Sequence, residues 1–170
     1  MKKAFTTLGN PDWSFDYTLE QAAKMGFDAL DLRGVDGKMG AAEIDCFRYG
    51  RLQETHRKIQ QAGLKICCFG CSSSFHDESR WDEALADAYS AIDLCSALDI
   101  PYVRVFGNTI PDGLSPEEEK AALSTIARGI QKACDYAAGT NVKVLLEVHG
   151  NINTAERVQA IAMQIRGEHF

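Results

Sequence analysis

The stretch KVLLEVHGN, Lys143 to Asn151, starts as an apolar strand and finishes in a carboxylate, an imidazole and a glycine turn. Side chains of a strand alternate, so Glu147 and His149 share a face with Leu145, while Val144, Leu146 and Val148 take the other. A carboxylate at the end of an apolar strand is costly unless it is protonated, paired or bound to a cation. Oxygen donors of this kind hold hard divalent ions, and a neighbouring imidazole can add or orient a ligand. Arg104, inside YVRVFGN, poses the same question with opposite sign. Its guanidinium must find an anion or open onto a polar cavity. The cavity is expected, and an ion pair between Arg104 and Glu147 is the purely structural alternative.

The other apolar runs also end in polar groups. Arg33 follows LDL, His76 follows a serine-rich stretch, and Asn108 follows Arg104 by four residues. Arg33, His76, Asn108, Arg104 and His149 are the expected substrate-binding residues. Glu147 is the expected catalytic residue and metal ligand. Convergent arginines, histidines and an asparagine suit a small polyhydroxylated or anionic ligand. Arg33 has a bland alternative as the partner of Asp31 or Asp36. His56 falls in mid-helix and is expected to be solvated, and His169 sits near the terminus, where disorder is the default.

Cys68 and Cys71 form a Cys-x-x-Cys pair, but it opens no helix and has no second ligand pair. A redox or zinc role is therefore not expected. Ser72 to Ser74 lack the glycine spacing of a phosphate loop.

These residues must be positioned by alternating strands and helices. Strands are expected at about 3–8, 27–32, 64–69, 101–106 and 142–148. The helices between them carry punctuation: a capping box at Thr18-Leu-Glu-Gln21 with a stop at Gly26, a stop at Gly63 and a start at Ser115-Pro-Glu-Glu118. Trp81, Leu85, Ala88, Tyr89, Ile92 and Cys95 make one apolar stripe of a long helix, and a last helix opens at Asn153-Thr-Ala-Glu156. The strands are nearly continuous apolar runs, which predicts parallel pairing with both faces covered. The fold class is α/β, a single domain over residues 1–170. Five such units fit a doubly wound flavodoxin-like sheet or part of a (β/α)8 barrel.

The bulk composition narrows the partners. The chain has 170 residues, a net charge of −6 and 45% apolar residues, and its pI is about 5.2. An acidic protein is a poor match for a nucleic-acid backbone. MKKAFTTLGNPDW lacks the apolar core of a signal peptide, and no run approaches membrane-spanning length. Six cysteines without a secretory signal predict reduced thiols and a cytoplasmic location.

The segments LEQAAKMGFDALDLRG, LDIPYVRVFGN and VKVLLEVHGN, followed by TAERV, resemble the xylose isomerase-like TIM-barrel superfamily of sugar-phosphate isomerases and epimerases. Tagatose-type epimerases and, more distantly, endonuclease IV share that superfamily. The resemblance implies a partial barrel and a divalent metal (Mn, Mg, Co or Zn) whose first ligand is Glu147. His149, Arg104 and Arg33 would lie in the same pocket. The substrate would be a sugar or polyol, interconverted by proton transfer between adjacent carbons in aldose–ketose or C3-epimerisation chemistry. Such barrels have about eight units, with further metal ligands on the later strands. This chain shows five units, so it reads as truncated, with no tightly bound metal, little or no activity, and open sheet edges that favour a homodimer or higher oligomer. A flavodoxin-like binding module and an endonuclease IV-like phosphodiesterase are the alternatives.

Overall fold

A computed structural model describes residues 1–170. Its order is β1 (Ala4–Thr6), α1 (Phe15–Lys24), β2 (Ala29–Leu32), α2 (Leu52–Gln61), β3 (Lys65–Ser74), α3 (Trp81–Ala97), β4 (Tyr102–Phe106), α4 (Pro116–Ala137), β5 (Lys143–Glu147) and α5 (Ala155–Ala162). The five strands are all parallel and hydrogen-bonded in the order β1-β2-β3-β4-β5. A doubly wound sheet would reverse direction around its first strand. The consecutive order is that of a (β/α) barrel and rules out the flavodoxin-like alternative. No helix is long and apolar enough to cross a membrane.

Capping chemistry sets most helix starts. Ser115 accepts from the Glu118 N–H while the Glu118 carboxylate accepts from the Ser115 N–H, and Pro116 fills the first turn. α1 starts earlier than expected. Ser14 is its N-cap, accepting from the Tyr17 N–H at 3.2 Å, and Thr18 lies buried inside the helix. The reason is packing: a start at Ser14 brings Phe15, Leu19 and Ala22 onto one buried face.

The sheet has one covered face and one open face. Leu30, Leu32, Ile66, Phe69, Val103, Val105 and Val144 are buried under the helices. Each fully buried Leu, Ile or Phe contributes about 1.5–3 kcal/mol of transfer free energy. On the other face, Tyr102 and Leu145 remain 38% and 37% exposed. The expectation that both faces are covered is thus corrected. Apolar residues at the inward positions do not guarantee burial when only five strands are present to enclose them.

β3 is longer than its apolar run. It continues through the serines to Ser74, because Cys71 and Ser73 are buried and Asp87 of α3 accepts from the Ser72 N–H and the Ser73 hydroxyl, each at 2.8 Å. The strand also carries a bulge. Leu30 pairs with Ile66 but Asp31 pairs with Cys68, so Cys67 is an extra residue. That insertion keeps Ile66 and Phe69 on the covered face and turns Gly70 to the open one.

The segment after α5 corrects a further expectation. His169 is held at the outer edge of β5, where its carbonyl accepts from the Val144 N–H at 2.7 Å. Its Nδ1 lies 2.8 Å from the Val142 carbonyl. The tail therefore partly covers an otherwise bare strand edge.

Candidate substrate site at the carboxyl ends of the strands

Arg104 and Glu147 come from adjacent strands and point to the same open face. The backbone register places Phe106 opposite Glu147 and Arg104 opposite Leu145, a two-residue offset that a long guanidinium side chain spans easily. Arg104 Nε lies 2.6 Å from Glu147 Oε2, with the two side chains 15% and 39% exposed. Arg104 also donates from Nη1 to the Cys71 carbonyl at 3.3 Å and lies 4.3 Å over the Phe106 ring. The structural alternative raised by the sequence is the one observed: the arginine does not simply open into a cavity but carries its own anion.

Arg33 extends beside this pair from the end of β2. Neither Asp31 nor Asp36 pairs with it; its Nη2 donates instead to the Ser72 hydroxyl at 3.1 Å. Burial, and then the positive charge of Arg104, push the Arg33 pKa below its ordinary value. Both arginines fit because of Gly70. A Cβ at that position would lie 2.8 Å from Arg104 Cζ and 3.0 Å from Arg33 Cδ. Sequence reasoning gave no role to Gly70 or Asp87, and set Ser72 aside for want of the glycine spacing of a phosphate loop. The bulge alone decides which way Gly70 faces, and no periodic pattern reveals a bulge.

His149 is exposed, with its ring set edge-on to Phe106 at 5.0 Å between centroids. The turn that presents it approaches the β4–α4 loop very closely. Gly150 has φ +64°, and a Cβ there would sit 2.6 Å from Thr109 Oγ1. Asn151 then fastens the two loops, accepting from the Ile110 N–H at 3.0 Å and donating to the Ile110 carbonyl at 2.8 Å. Arg157 of α5 braces the same turn by donating to the Asn151 carbonyl at 2.7 Å.

Asn108 lies in the left-handed region at φ +67°, its carbonyl packed against Gly150, and its side chain makes no hydrogen bond with Arg104 or Glu147. His76 is displaced from the cluster. It makes no hydrogen bond or ion pair with Arg104 or Glu147, and it borders a separate groove with Asp77, Glu78, Thr109 and Thr125. The structure thus brings Arg33, Arg104 and Glu147 together, places His149 next to them through Phe106, and sets His76 apart.

The thiols are structural. All six cysteines are unpaired. Burial pushes the Cys68 thiol up to about 12 and the Cys71 thiol up to about 11. Cys71 donates to the Arg104 carbonyl at 3.2 Å, so it helps fix the strand that carries the arginine.

No three His, Cys, Asp or Glu side chains converge in a metal-holding arrangement. A hard divalent ion takes about six oxygen ligands. This chain offers the single carboxylate of Glu147, already neutralised by Arg104, with the His149 imidazole set against Phe106. Its own residues therefore do not make a cage for the divalent metal that the family resemblance implies.

Comparison with known proteins agrees with this geometry. The sequence profile described as "Xylose isomerase-like TIM barrel" matches residues 19–170. No curated protein matches the sequence. Among solved structures, the IOLI protein with a binding zinc atom superimposes with a TM-score of 0.77 at 19% identity, over 99% of this chain and 60% of that one. D-psicose 3-epimerase in the presence of D-fructose gives 0.74 at 18% identity, over 99% and 61%. A xylose isomerase-like TIM barrel protein from Mycobacterium smegmatis in complex with magnesium gives 0.71 at 20%, over 99% and 62%. At these identities the structural likeness speaks for the fold, and this chain spans less than two thirds of each relative's length. With the profile covering nearly the whole sequence and the strand order in agreement, the chain belongs to the xylose isomerase-like TIM-barrel family.

Proposed function

We propose that this chain supplies the substrate-anchoring part of an isomerase or epimerase that acts on a sugar or related polyol by moving a proton between adjacent carbons. The observation that carries the reading is the Arg104–Glu147 pair, 2.6 Å apart on the open face at the carboxyl ends of parallel strands. That end is where barrel enzymes assemble their chemistry. Arg104 donates hydrogen bonds to substrate oxygens, and exposed His149, steadied against Phe106, reaches the same ligand. Glu147 orients Arg104 and presents its second oxygen to a substrate hydroxyl. The similar solved structures of an epimerase and of zinc- and magnesium-bound proteins support this class of chemistry.

The bound metal of the family would polarise adjacent carbonyl and hydroxyl oxygens. Because this chain brings one carboxylate to that task, no catalytic step is assigned to a metal here, and the chain alone is expected not to turn over. The test is an aldose–ketose interconversion assay with added Mn²⁺, Mg²⁺, Co²⁺ or Zn²⁺, run beside a polyol-binding titration. Expected are undetectable turnover and weak polyol binding that Arg104→Met abolishes. Metal-stimulated turnover would overturn the inactivity, and binding indifferent to Arg104→Met would overturn the site.

A further inference from the structure

At the other end of the sheet, α2 stops at Gly63 with φ +68°, and the chain turns directly into β3. A Cβ added to Gly63 would meet no atom within 4 Å. The open space is part of a cavity of about 890 Å³ at the amino ends of β2, β3 and β4, a size within the range of about 300–1,000 Å³ that small-molecule sites occupy. Its walls are apolar. Phe27 comes from the turn before β2, Ile59 and Leu64 from the α2–β3 junction, and Leu98 and Pro101 from the turn before β4. Cys67, the bulged residue of β3, also lines it, with its thiol already donating to the Leu30 carbonyl at 3.2 Å.

The rim has the opposite character. Lys2, Lys3 and Lys65 stand around the opening, all exposed. Ala29 pairs with Ala4 on one side and Lys65 on the other, so Lys3 and Lys65 lie near the same level of the sheet. Acids outnumber Lys and Arg by 24 to 18 in this chain, yet none of its ion pairs uses any of these three lysines. Two carboxylates share the rim. Asp28 accepts from the Lys3 main-chain N–H at 2.7 Å, and Asp99 sits at φ +55° in the turn before β4. Cationic groups around a low-dielectric cleft focus a field that attracts anions. Lysine stems lie along apolar surface while their heads stay in water, so the ammoniums border the apolar walls. We propose that this cavity binds a small amphiphilic anion, a carboxylate or phosphate monoester on an apolar chain. The chain lies against Ile59, Leu64 and Leu98, and Lys3 and Lys65 hold the head. The site needs nothing from Arg104 or Glu147.

The experiment is a calorimetric titration of the 170-residue protein with hexanoate, hexyl phosphate, hexan-1-ol and acetate at constant ionic strength. Hexanoate or hexyl phosphate is expected to bind at least ten times more tightly than hexan-1-ol and than acetate, and the better of the two identifies the head group. Lys3→Gln combined with Lys65→Gln should weaken anion binding at least fivefold. Asp99→Asn, which removes an opposing charge from the rim, should strengthen it about twofold. Lys132→Gln, the same charge change on an exposed lysine of α4, should leave it unaltered. If the double lysine variant fails to fold, a wild-type affinity that falls severalfold as salt rises from about 0.02 to 0.2 M takes its place. Hexan-1-ol binding as tightly as hexanoate, or acetate doing so, overturns the amphiphilic assignment. Affinity indifferent to the two lysines overturns the location, and failure of both six-carbon anions to bind wild type overturns the site; none of these outcomes touches the reading of Arg104 and Glu147.

Discussion

The ion pair between Arg104 and Glu147 can be measured by a double-mutant cycle with Arg104→Met, Glu147→Gln and both together. Charges about 4 Å apart attract by about 4 kcal/mol at an effective dielectric constant of about 20. That figure has to be reduced here. Glu147 is 39% exposed, and water screens it, whereas Arg104 is only 15% exposed and feels the field of the strand surface. Fully exposed pairs yield about 0.2–1 kcal/mol, and hydrogen bonds to charged groups yield about 1.5–3 kcal/mol. A coupling of about 1–1.5 kcal/mol lies between these limits. Arg104→Met alone should cost more than the coupling, because it also loses the Cys71 carbonyl and the Phe106 ring. The cycle removes those contributions. Urea unfolding at 25 °C gives the four stabilities, and repeating it in about 0.15 M salt should retain over half of the coupling, since charges about 4 Å apart lie inside the Debye length of about 8 Å. A coupling below about 0.4 kcal/mol, the range in which independent substitutions are additive, would refute the reasoning. Glu147 would then be free to bind a cation, and the argument against a self-sufficient metal site would fail with it.

Two other predictions concern the frame around the site. Gly129 on α4 lies against Phe75, and a Cβ there would come within 2.6 Å of the Phe75 Cβ and ring. Gly129→Ala gains about 1 kcal/mol of helix propensity but overpacks a full core at a cost of about 1–3 kcal/mol; thermal unfolding should show a Tm lowered by several degrees, and an unchanged or raised Tm would contradict the packing. Burial pushes Cys46, Cys68 and Cys134 up to about 12, so iodoacetamide at pH 8 should label these three thiols at least about 100-fold more slowly in the native protein than in the urea-unfolded chain, given an ordinary thiol pKa of about 8.5. Rapid labelling of Cys68 in the native protein would instead mark a reactive thiol pair.

Much of the architecture can be read from local chemistry. The Ser115 capping box and the Gly63 stop at φ +68° come from single residues acting on their own neighbours. The five alternating units follow from hydrophobic period. The α1 start is ambiguous in sequence because Thr18-Leu-Glu-Gln21 satisfies the same capping rule as Ser14, and only the burial of Phe15 separates them. The serines after Cys71 look like a loop until Asp87, fifteen residues beyond Ser72, is brought round to satisfy them.

The site divides in the same way. Sequence alone determined that Arg33, Arg104, Glu147 and His149 stand at the carboxyl ends of strands, because alternation and parallel pairing admit no other end. Tertiary structure decided what they do there. It paired Arg104 with Glu147, turned Gly70 toward the open face through the Cys67 bulge, left one nitrogen of Arg33 without an acceptor, and moved His76 to another groove. The reason is physical. Alternation fixes which face a residue occupies from its immediate neighbours, whereas the partner of a charge depends on register between strands that lie forty or more residues apart.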